Sequence, residues 1–134
     1  MIFDCDKNHA GPIYKGVRRA DVRKVLGAYK EFKKSPFSSN TADDFQSVGV
    51  HVFYNSEDVV RGVEIFKGAR VFVCGLDVFS FSLTGLVAEL ERIGVGCVYD
   101  EAGANITDLG IGFYSPDVGE VETPSIEGVY VEFV

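Results

Sequence analysis

Apolar residues recur at helical spacing in two stretches of this 134-residue chain, 17–26 and 82–93. In the first, Val17, Val22, Val25 and Leu26 form one stripe, with Arg18, Arg19, Arg23 and Lys24 on the opposite face. In the second, Leu83, Leu86, Val87, Leu90 and Ile93 line up. Ser82 is placed to cap its helix, and Gly27 and Gly94 can take the positive φ that ends one. Short β-rich runs punctuated by turns follow each helix. Strands are expected at 44–48, 50–54, 61–66, 71–74, 96–99, 106–109, 111–114 and 128–133, and 28–42 reads as a loop containing Pro36. Residues 1–12 match no pattern and end in a Gly11-Pro12 turn. A helix followed by a strand meander, twice over, defines an α+β fold.

The two halves can be laid over each other at a period of about 60 residues, longer than the common solenoid repeats. Gly16 matches Gly75, Asp44-Phe45 matches Asp108-Leu109, and Phe53-Tyr54-Asn55 matches Phe113-Tyr114-Ser115. Val63-Glu64-Ile65-Phe66 matches Tyr130-Val131-Glu132-Phe133. The expectation is one domain, 1–134, with an internal repeat of 13–66 and 71–133. Its two similar helix-plus-antiparallel-meander halves would join their sheets edge to edge and pack both helices on one face. Phe53 and Phe113 would then hold equivalent positions.

Charge divides the chain more sharply than hydropathy does. The net charge is -7, yet residues 1–40 hold nine Lys/Arg against four Asp/Glu, and residues 41–134 hold four against sixteen. From Asp100 onward there are eight acids and no base. Such a face repels nucleic acid and attracts basic proteins.

Three cysteines, Cys5, Cys74 and Cys97, leave at least one thiol free in a monomer, which suggests a reducing compartment. Cys74 and Cys97 sit in apolar runs and are expected buried, whereas Cys5 lies near the terminus and is expected to react first. The N-terminus has no basic segment followed by an apolar stretch, so no signal peptide is expected. No apolar run approaches the roughly 20 residues of a membrane span, and the expected location is the cytoplasm.

The run Gly11-Pro12-Ile13-Tyr14, Gly16, Arg19, Asp21-Val22 and Leu26-Gly27 resembles the opening of the β-lactamase inhibitor protein and outer-membrane assembly lipoprotein fold. The resemblance implies a helical opening into three antiparallel strands, a unit the inhibitor carries twice. With Asp43-Asp44-Phe45, His51-Val52-Phe53-Tyr54 and Val63-Glu64-Ile65-Phe66, the chain is also similar to small cytosolic immunity proteins encoded beside polymorphic or contact-dependent bacterial toxins. A lipobox leader and paired cysteines, which the lipoprotein and the secreted inhibitor carry, are missing, so the intracellular immunity reading is the one that stands.

Catalytic patterns are scarce. His9 and His51 are the two imidazoles, and His51 points away from its neighbours Val50 and Val52. No nucleophile elbow, phosphate loop, dinucleotide glycine pattern or zinc spacing occurs. Asp43-Asp44 reads as a turn cap or a wet surface pair. No enzyme activity, cofactor, metal or membrane partner is expected. The function expected is toxin neutralisation by an acidic face that steers a basic, nuclease-type toxin domain. The contact groups would be Asp100, Glu101, Asp117, Glu120 and Glu122 in second-half turns, with Glu57 and Asp58 in the corresponding first-half turn. Tyr99 and Tyr114 would anchor the contact. Two rival classes are a single-stranded nucleic-acid module using the basic first helix with Tyr14, Tyr29 and Phe32, and a small enzyme built around His51. The basic helix could also meet the acidic half of a second copy in a homodimer.

Overall fold

Val50, Val52 and Tyr54 are buried while His51 and Phe53 between them are half-buried, and this alternation orients the larger of two sheets. The computed structural model describes residues 1–133. Strands β1 (Ile2–Cys5), β2 (His9–Ala10) and β3 (Ile13–Tyr14) precede helix α1 (Arg19–Leu26). Then come β4 (Lys30–Phe32), β5 (Ala42–Phe45), β6 (Val50–Tyr54) and β7 (Val60–Phe66). The second half runs β8 (Arg70–Val73), β9 (Leu76–Asp77), α2 (Leu83–Arg92), β10 (Val98–Asp100), β11 (Gly103–Ile106), β12 (Ile111–Tyr114) and β13 (Gly128–Glu132).

The α+β class is as expected. The large sheet has the order β10-β11-β12-β13-β7-β6-β5-β4 and is antiparallel throughout. The small sheet has the order β3-β2-β1-β8-β9, with β1 and β8 parallel and the other pairs antiparallel. This second sheet was not legible in the sequence. Its central strand falls in residues 1–12, where Phe3 and Cys5 are buried and Ile2 and Asp4 are exposed.

One core joins these layers. Val22 and Leu26 of α1, Leu83, Leu86 and Leu90 of α2, and Phe3 and Val71 of the small sheet share it with Val52, Val63, Phe113 and Val131 of the large sheet. Full burial of a side chain of this size stabilises by about 1.5–3 kcal/mol relative to exposure. Ser82 accepts a hydrogen bond from Gly85 N at 3.1 Å and caps α2 as expected. Gly27 at φ 88 follows α1, and Gly94 at φ 86 follows α2.

Each half carries a ladder of three buried residues. Asp43 opposes Val52, which opposes Val63; Ala104 opposes Phe113, which opposes Val129. At the seam between β7 and β13, Glu64 opposes Tyr130, flanked by Ile65 with Val129 and Val63 with Val131. Phe113 is buried on the core face of β12, as Val52 is on β6. Phe53 opposes Ala42 and Gly62 and points to the other face. A one-residue slip reverses every side chain of a strand, so matching the Phe-Tyr pairs aligned opposite faces.

Other differences have local causes. The expected loop 28–42 contains edge strand β4, whose polar sequence Lys-Glu-Phe carries no strand signature. Thr107–Leu109 is a 3-10 turn rather than strand, and the ladder comes earlier, at Gly103–Ile106. Gly103 is required there, because at φ 150 a Cβ would strike the Phe113 carbonyl across the ladder. Within α1, Val25 is exposed and Arg19 is buried instead. No helix among the described residues is long and apolar enough to cross a membrane.

Candidate functional site

The connection between β12 and β13, residues 115–127, is the longest irregular segment of the second half. It is not loose. Ser82 bridges to Ser125, Leu83 N donates to the Pro124 carbonyl at 2.8 Å, and Thr84 Oγ1 donates to the Glu122 carbonyl at 2.9 Å. Ser115, buried just past the end of β12, donates through its hydroxyl to the Ser125 carbonyl at 2.6 Å. Pro124 and Ile126 are buried, while Val121 stays 54% exposed.

This anchored loop faces the β10–β11 hairpin across an open cleft of about 500 Å³. Tyr99, Asp100 and Glu101 form one wall; Val118, Val121 and Glu122 form the other. Apolar surface dominates the lining, and three carboxylates rim it. Tyr99 is 48% exposed. Its phenol is pushed up by burial, and by the charges of Cys97 and Glu91, so it stays a neutral donor. Asp100 accepts from Ala102 N at 2.8 Å and from the Asn105 amide. These bonds hold its carboxyl below the usual range, so it is ionised and fixed in direction. An apolar floor with a charged rim is the anatomy of a protein-binding patch.

Of the nine residues expected to contact a partner, Tyr99, Asp100, Glu101 and Glu122 line this cleft. Asp117 and Glu120 are exposed on the same loop. Tyr114 stands apart from Tyr99. Tyr99 pairs with Ala104, which pairs with Phe113, and Tyr114, the next residue, projects from the opposite face. Glu57 and Asp58 lie at the opposite end of the strands. Their turn leads into the start of β7, which runs antiparallel to β13. Asp58 is also engaged: Asn40 Nδ2 donates to it at 2.7 Å and Arg19 Nη1 at 3.2 Å. Those bonds lower its pKa, and its φ of 57 fits a turn.

The basic helix face divides in two. Arg19 and Arg23 turn inward onto Asp43, which is fully buried on β5. Arg19 Nη2 donates to Oδ1 at 2.9 Å, Arg23 Nε to Oδ2 at 2.9 Å, and the Tyr54 hydroxyl to Oδ2 at 2.9 Å. Arg23 also meets Glu31 at 2.9 Å. Burial alone would raise the Asp43 pKa, but the bonds from Arg23, Arg19 and Tyr54 outweigh it and lower the value. Asp43 is therefore an ion-pair centre, not a turn cap, and two helix cations are committed to it. Arg18 and Lys24 remain exposed.

His51 lies on the outer face of the large sheet, ringed by aromatic side chains. Its ring centroid is 4.6 Å from Phe32 and 4.7 Å from Phe66, and its nitrogens face Asp44 at 3.4 Å and Glu64 at 3.7 Å. Among the described residues, no group of three or more His, Cys, Asp or Glu is placed to hold a metal.

All three cysteines are free. Their order of exposure reverses the expectation. Cys5 is buried in β1, and Cys74 is exposed in the β8–β9 turn at φ 51. The apolar neighbours of Cys74 are strand residues facing the core; Cys74 itself is where the chain turns.

No protein-family model matches the chain, and neither a curated protein nor a solved structure matches it.

Proposed function

We propose that this chain is a cytoplasmic, non-enzymatic immunity protein. It binds a basic, nuclease-type bacterial toxin through the acidic cleft and occludes the toxin's working surface. The observation that carries the reading is the cleft itself. It joins Tyr99, Asp100 and Glu101 to Val118, Val121 and Glu122, residues far apart in sequence, into one patch with apolar anchors and an acidic rim.

We also read the chain as a duplicated unit, in which the ladder Asp43-Val52-Val63 matches Ala104-Phe113-Val129. Arg18 bridging Val59 corresponds to Ser82 bridging Ser125, so each helix start is stitched to the turn that opens the last strand of its half. In the first half that turn is residues 55–59; in the second it has grown to 115–127. A duplicated scaffold that lengthens one connection, and loads it with Asp117, Glu120 and Glu122, has put its new surface where binding residues are most often carried. The resemblance of the His51–Tyr54 and Val63–Phe66 runs to immunity proteins points the same way.

The test is co-expression in a bacterial host with the polypeptide encoded by the neighbouring reading frame. The reading predicts that the neighbour alone arrests growth. It also predicts that this chain restores growth and the two co-elute as a complex. Continued arrest with both proteins made in soluble form would reject it.

A further inference from the structure

On the outer face of the large sheet, at the end away from the acidic cleft, the 33–41 segment folds over Phe53 and Tyr130 and encloses a small cavity of about 80 Å³. Its lining is unusual for so acidic a chain. Lys34 and Arg61 are its charged residues, and no Asp or Glu contributes to it. Among the described residues neither cation is in an ion pair. Lys34 Nζ is held instead over aromatic faces, 4.7 Å from the Phe53 centroid and 6.0 Å from that of Tyr130. Such contacts orient an ammonium without neutralising it.

The neutral groups fit the same pattern. Ser38 and Ser39 line the cavity, the Ser38 hydroxyl also accepting from Ser35 N at 3.1 Å. Tyr130 reaches the wall because residue 62 is Gly; a Cβ there would overlap the phenol oxygen. The hydroxyl is thus seated against the strand that carries Arg61. Two uncompensated cations, hydroxyl donors and a volume suited to a single small group together describe an anion receptor.

We propose that this cavity is an oxyanion site that takes a phosphate or carboxylate group, with Lys34 and Arg61 as its charged ligands. Its occupant carries charge opposite to the partner proposed for the acidic cleft, so the two sites are separate in place and chemistry.

Titration with inorganic phosphate and, separately, with acetate, at fixed ionic strength and followed by amide NMR, tests this and distinguishes the two sources of the group. At least one anion should give saturable shifts at residues 38–41 and 61. Lys34→Ala and Arg61→Ala should each weaken that binding about tenfold, the worth of one charge-assisted hydrogen bond. Both side chains are exposed, so these variants should keep the parent's unfolding midpoint in chloride. Lys67→Ala, remote from the cavity, should bind as the parent does. Shifts that rise linearly with both anions, or that survive unchanged in Lys34→Ala and Arg61→Ala, overturn the proposal.

Discussion

Arg19 on α1 closes on Asp43 of β5 at 2.9 Å, and the carboxylate reaches no solvent. Removing one partner leaves a buried charge uncompensated, at a cost of about 3–5 kcal/mol. Asp43→Ala should therefore lower stability by that order in denaturant unfolding. Arg19→Leu combined with Asp43→Ala removes the buried guanidinium with its partner and should recover part of the loss, Arg23 keeping its contact with Glu31. Equal destabilisation of the single and double variants would contradict this account of the pair.

The pH dependence follows from the same carboxylate. Asp43 has a lowered pKa in the folded protein, because the bonds from Arg23, Arg19 and Tyr54 outweigh its burial. A depressed folded pKa contributes stability that is fully present above the unfolded value, about pH 4, and lost as pH falls through the folded one. Unfolding free energy measured from pH 7 downward should fall below about pH 4. The fall should be shallower in Asp43→Asn, which has no carboxylate to protonate at that position.

Thiol reactivity should follow the structure, not the distance from the terminus. Cys74 should label first and Cys97 more slowly. Cys5 should label only on unfolding, since burial, then the charges of Asp4 and Asp6, push its thiol up to about 12. Timed alkylation read by peptide mass spectrometry gives the order. Early labelling of Cys5 in the native protein would contradict the position of β1 inside the small sheet.

What the sequence disclosed depended on periodicity. The helices, the Ser82 cap and strands such as Val50–Tyr54 carry strong local signals, and each appears within two residues of its expected place. Strand β1 alternates buried Phe3 and Cys5 with Ile2 and Asp4, too short a run to stand out from a terminus. Asp43 looked like a polar surface residue because its partners lie about twenty positions upstream on a helix, beyond any local window. The acidic cleft was half legible. Tyr99, Asp100, Glu101 and Glu122 were named from charge and turn position, but Val118 and Val121 were not, since only the anchoring of 115–127 onto α2 turns them toward Tyr99. That Tyr114 faces away from Tyr99 was not legible either, because register decides which face a strand residue occupies.

The central claim is that the acidic cleft captures a basic protein. Its most direct test is the association rate of this chain with the product of the neighbouring reading frame, measured at low and at physiological salt. The double variant Glu101→Lys with Glu122→Lys should associate about tenfold more slowly at low salt, with a flattened salt dependence. Its unfolding free energy should stay within about 0.5 kcal/mol of the parent, because both side chains are exposed. The control Arg18→Glu with Lys24→Glu, on the outward face of α1, should associate at least as fast as the parent, since it adds negative charge away from the cleft. A glutamate variant that binds as fast as the parent at low salt, or a control that loses binding instead, would contradict the account.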